Sequence, residues 1–110
     1  MECKEICVDA RKSSPEERKE GQQQTQLLFQ INHTMPYTEE YDHLVQELFG
    51  NNLGEGSRIT PPLNGACIRN MKIGKNVLIN SNLLAMARGG IIIEDNVMIA
   101  ANVQLITNNH

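Results

Sequence analysis

The sequence predicts a mainly β fold, a parallel β-helix preceded by a helical region. Three observations predict it. From Ile73 onward the chain repeats every six residues, with asparagine at the fourth place of each unit. Residues 38–50 carry apolar side chains at helical spacing instead. The 110 residues, 40% hydrophobic and 21% charged, suffice for one globular core and not for two. Composition and charge change near residue 58. Residues 1–58 hold 11 acids and 6 bases, and residues 59–110 hold 2 and 4. The chain therefore divides into a helical region, 1–58, and a β-helix, 59–110.

In the first region Ser14-Pro15-Glu16-Glu17 has the capping-box form, with a serine N-cap, proline at N1 and glutamate at N3. A helix is expected from there toward Phe29, weakened at Gly21 by about 1 kcal/mol relative to alanine. Residues 1–14 show no comparable helix signal. A second helix follows Pro36. Thr38 can cap it, and Glu39 and Glu40 favour its positive N-terminal end. Tyr41, Leu44, Val45, Leu48 and Phe49 form one apolar stripe, and Gly50 supplies the stop.

The second region reads in sixes. Ile73-Gly74-Lys75-Asn76-Val77-Leu78 and Ile79-Asn80-Ser81-Asn82-Leu83-Leu84 come first. After an eight-residue step from Ala85 to Ile92, three more units begin at Ile93, Ile99 and Leu105. Asparagine stands fourth in all five units, at Asn76, Asn82, Asn96, Asn102 and Asn108. Asparagine tolerates the left-handed conformation that a tight corner needs, because its amide can bond nearby backbone. The aliphatic first position points into a narrow interior, and Gly74 or Ala100 relieves crowding beside a corner. A period of six cannot hold one face of an α-helix aligned, and Gly89-Gly90 and the recurrent Ile and Val also oppose a helix. Three walls make a coil of about eighteen residues. Ile59 precedes Ile73, and Ile79 precedes Ile93, by fourteen, so two of roughly three coils carry a bulge.

These residues also resemble a family. The hexad tandem, Ile59-Thr60-Pro61-Pro62 before it, Arg88-Gly89-Gly90-Ile91 and the run from Ile99 to Asn109-His110 are similar to the hexapeptide-repeat sugar O-acetyltransferases of the maltose/galactoside type. The resemblance covers most of residues 17–110. It implies a left-handed parallel β-helix and an O-acetyltransferase that takes acetyl-CoA as co-substrate, with no metal. It further implies His110 as general base, Asn80 in the acceptor site, and a homotrimer with its sites between subunits. A histidine suits the role, since its ordinary pKa of about 6.5 lets it accept a proton at neutral pH. In that family further coils follow the histidine and line the acetyl-CoA pocket. This chain stops at His110 and is read as cut short there, so no cofactor-binding residue is assigned. Family members often hold the acceptor with an acid in the bulge, whereas Met86-Ala87-Arg88 carries none.

Two other functions compete. A self-associating β-helix without catalysis would keep the coil alone. A γ-class carbonic anhydrase needs convergent histidines, and only one of the three here lies in the repeat. An uncovered last coil exposes backbone and apolar atoms, so self-association or a longer parent protein is expected. Arg88 can meet a CoA phosphate, pair with an acid or stay solvated. His33 and His43 read as surface or helix-packing residues, and Cys67 as a small buried hydrophobe. The net charge of −3 offers no cationic stripe for nucleic acid. The polar N-terminal residues resemble no signal peptide, and no apolar run approaches the length of a bilayer span. The three cysteines form no CxxC pair, so no disulfide framework is expected and a cytoplasmic setting is the simplest.

Overall fold

The structure, a computed structural model, describes residues 14–107. Cys3, Cys7, Asn108, Asn109 and His110 lie outside the described residues. Helix α1 (Pro15–Asn32) opens with the expected capping box. The Glu17 N–H donates to Ser14 Oγ at 3.1 Å, and the Ser14 N–H donates to Glu17 Oε1 at 2.9 Å. It runs three residues past the expected end near Phe29. Its last turn is held by tertiary contacts: Ile31 is fully buried, and Asn32 both donates to Leu63 O and accepts from the Leu63 N–H, each at 2.8 Å. No local pattern announces that bracket.

Helix α2 (Glu39–Phe49) is bounded as its sequence predicts. Thr38 Oγ1 accepts from the Tyr41 N–H at 3.1 Å, and Gly50 ends the helix at φ 58°. Tyr41, Val45, Leu48 and Phe49 are buried, with Leu44 packed partly against them. Arg69 ties both helices to the coil. Its guanidinium donates to Leu48 O at 3.0 Å and Glu47 O at 3.2 Å, which are carbonyls at the end of α2. From the same group it reaches Glu20 and Gln23 on α1.

The Tyr41 hydroxyl donates to Ile59 O at 2.6 Å, joining α2 to the first wall. Burial, with smaller contributions from Tyr37 and Asp42, pushes its pKa from the usual 10.0 up to about 12. The raised value means that the folded state keeps its proton where the unfolded chain has lost it. Stability from this group is therefore full below pH about 10 and is lost as the pH rises toward about 12. Tyr41→Phe is expected to cost about 1 kcal/mol at neutral pH and to flatten the alkaline fall, as urea titrations at several pH values would show.

Eight short strands follow: β1 (Arg58–Ile59), β2 (Leu63–Ala66), β3 (Met71–Ile73), β4 (Leu78–Ile79), β5 (Leu83–Met86), β6 (Ile91–Ile93), β7 (Met98–Ile99) and β8 (Gln104–Ile106). They form three parallel walls, β1-β4-β7, β2-β5-β8 and β3-β6. Ile59 pairs with Ile79 and Ile79 with Ile99, a step of 20 residues that every ladder shares. The coil is thus longer than a plain eighteen, as the expected bulges require, because each turn is lengthened in the segment between the second and third walls. In the first coil that segment is Cys67–Asn70 and in the second Ala87–Gly90.

The corners are those the repeat predicts. Asn76, Asn82, Asn96 and Asn102 all have positive φ, between 56° and 65°. Ile73, Val77, Ile79, Leu83 and Ile93 are buried along the axis. Among the described residues no helix is long and apolar enough to cross a membrane. One expectation is corrected. Cys67 does not fill the interior as a small hydrophobe, because its left-handed backbone (φ 56°) begins a short 3-10 helix and Ile68 takes the core position. Cys67 is half-buried and disulfide-bonded, although the sequence shows no disulfide framework.

Candidate functional site

Asn80 follows β4 at the corner leading into β5. Its backbone is fixed, since its N–H donates to Ile99 O at 3.0 Å, the coil-to-coil bond that Thr60 makes to Ile79 O at 2.9 Å one turn earlier. Its carboxamide is half-buried and makes no hydrogen bond to any described residue. A fixed backbone and an uncommitted amide suit a residue that orients a hydroxyl-bearing ligand.

The bulge Ala87–Gly90 lies at the other edge of the same wall. Ala87 is fully buried and its N–H donates to Ala66 O at 3.0 Å. Gly90 closes the turn at φ 88°, with its N–H on Ala87 O at 2.8 Å. From the coil below, Asn70 Nδ2 donates to Arg88 O at 3.3 Å. From the coil above, Thr107 Oγ1 accepts from the Gly89 N–H at 2.8 Å and donates to Met86 O at 2.9 Å. Thr107 is the last described residue, three positions before His110. Sequence reasoning missed it. The Ser57 hydroxyl makes a like pair of bonds at an earlier corner, accepting from the Val77 N–H and donating to Gly74 O.

Asn80 and the bulge are not brought together within one chain. Ser81, Asn82 and the four residues of β5 separate them, and β5 alone spans about 13 Å at strand spacing. His110 lies outside the described residues. His33 belongs to the helical layer, its ring stacked on Phe29 at 4.1 Å and Nδ1 2.8 Å from Phe29 O, and His43 is exposed on α2. Among the described residues no three His, Cys, Asp or Glu side chains are grouped to hold a metal. An open groove on the wall of β3 and β6, lined by Lys72, Gly74, Ile92 and Asp95, contains neither Asn80 nor Arg88.

No family model matches the chain. Over 106 residues, 96% of its length, it is 32% identical to galactoside O-acetyltransferase from Escherichia coli (strain K12) and covers 50% of that protein. Among solved structures it resembles a hexapeptide-repeat containing acetyltransferase from Vibrio cholerae complexed with acetyl coenzyme A. That likeness has a TM-score of 0.76 at 31% identity, over 83% of this chain and 49% of the other. The chain is similar to the hexapeptide-repeat acetyltransferases. A galactoside acetyltransferase in complex with coenzyme A matches all of it, with a TM-score of 0.81 at 27% identity over 56% of that structure. The hexapeptide-repeat fold is thus a left-handed parallel β-helix with helices on its N-terminal side. The chain spans about half the length of the relatives it matches.

Proposed function

We propose that this chain carries the general base and an acceptor-binding residue of an acetyl-CoA-dependent O-acetyltransferase. The observation that supports this best is the identity of 32% to a galactoside O-acetyltransferase across 96% of the chain. In this reading the neutral imidazole of His110 takes the proton of an acceptor hydroxyl as that oxygen attacks the thioester carbon. The tetrahedral oxyanion collapses, the carbon–sulfur bond breaks, and the departing thiolate recovers the proton from the imidazolium. Asn80 orients the acceptor through its free carboxamide. The acceptor is a sugar or another hydroxyl compound.

The distance across β5 bears on assembly. Asn80 and Thr107 stand at opposite edges of one wall, so a single chain holds these two residues apart. We propose a homotrimer in which Asn80 of one subunit faces the His110 edge of its neighbour.

Acetyl transfer from acetyl-CoA to simple glycosides is the test. His110→Ala is expected to lower turnover about 10²- to 10⁴-fold while acetyl-CoA binding, measured by calorimetry, stays unchanged. Absence of acetyl-CoA binding at millimolar concentration would overturn the proposal in favour of a non-catalytic, self-associating β-helix.

A further inference from the structure

The described residues include four arginines, and three have partners. Arg69 makes the clamp described above, Arg58 lies over the Tyr37 ring at 5.4 Å from its centroid, and Arg18 is partnered as well. Arg88 differs. It is half-buried, yet its guanidinium has no hydrogen bond, ion pair or ring contact among the described residues. Its backbone is nonetheless fixed more firmly than a surface arginine requires. Its own carbonyl accepts from Asn70 Nδ2, and the next N–H donates to Thr107 Oγ1, so neighbouring coils hold the peptide group between residues 88 and 89 from both sides. Acids that might neutralise it are scarce, because Glu94 and Asp95 are the only two in residues 59–110. Both follow β6, and Asp95 Oδ1 is engaged by the Lys75 N–H at 2.8 Å.

A guanidinium is a planar fork of donors matched to two oxygens of a carboxylate or phosphate. Anchoring its root from both sides reduces the ordering cost of using it. We infer that Arg88 recognises an oxyanion, a carboxylate or phosphate carried by a substrate of this site. The inference rests on the transferase reading for what that substrate is. An acidic acceptor and the phosphates of the co-substrate share this chemistry, and binding distinguishes them.

Three probes serve: galacturonate, neutral galactose, and adenosine 3′,5′-bisphosphate for the phosphate end of CoA. Each is titrated into the 15N-labelled chain while the Arg88 Nε–H resonance, assigned by its loss in Arg88→Gln, is followed. One anionic probe is expected to shift that resonance and to bind about tenfold or more tighter than galactose. Arg88→Gln should abolish the preference and Arg88→Lys should restore part of it, with melting temperatures unchanged. Galacturonate as the responsive probe places the oxyanion on the acceptor, and the bisphosphate places it on the co-substrate. Equal binding of every probe by wild type and Arg88→Gln, or no shift at Arg88, overturns the inference. Acetyl transfer that depends on His110 but ignores Arg88 defeats this inference alone. Anion binding that depends on Arg88 without any acetyl transfer defeats the transferase reading alone.

Discussion

Gly65→Ala is expected to destabilise the coil by about 3 kcal/mol or more, a large share of a small domain's total stability. Gly65 pairs with Ala85 on the wall of β2 and β5. A Cβ at position 65 would lie 2.7 Å from Ala85 C and 3.0 Å from Ala85 N, and closer still to Ala85 O. These atoms are backbone, so no rotamer change relieves the overlap, and the coils can separate only by losing ladder hydrogen bonds. The φ of 148° adds strain for any residue with a side chain. Gly21→Ala supplies the control. Nothing lies within 4 Å of a Cβ there, the site is an exposed helix position, and alanine should stabilise by about 1 kcal/mol. Urea titration of both variants reads the contrast. A Gly65→Ala midpoint equal to wild type would mean that the coils do not approach this closely.

The same contrast shows what a linear sequence can disclose. The corner asparagines were legible because the constraint is local: one residue must adopt positive φ, and few side chains tolerate it. The stripe of α2 was legible for a similar reason, since Tyr41, Val45, Leu48 and Phe49 share a face by spacing alone. The far end of α1 was not. Asn32 prolongs that helix by bonding Leu63, 31 residues away, and nothing near Phe29 signals it. The 20-residue coil was half-legible, because the fourteen-residue intervals marked a bulge while the walls were still counted as sixes. Asn80 was named only through the family resemblance, and its place at the corner before β5 and its separation from the bulge follow only from winding the chain. Thr107 escaped notice because hydroxyl staples join residues about 20 apart, a distance at which no short motif operates.

That separation leads to a decisive expectation for assembly. Asn80→Ala and His110→Ala, each purified alone, should be nearly inactive in acetyl transfer. Unfolding and refolding them together in equal amounts should restore about a quarter of wild-type activity if each site combines Asn80 of one subunit with His110 of its neighbour. The fraction is statistical. An intact site needs its asparagine from a His110→Ala chain and its histidine from an Asn80→Ala chain, each with a chance of about one half in a random ring. A site contained within one chain gives the opposite result, because every chain in the mixture carries one defect and no combination repairs it. Acetyl-CoA binding by each single variant excludes misfolding as the cause of inactivity. Mixing without unfolding should restore activity only as fast as subunits exchange. Recovery near a quarter requires Asn80 and His110 to meet across an interface, whereas activity that stays at the level of the single variants would assign both to one chain and remove the argument for a trimer.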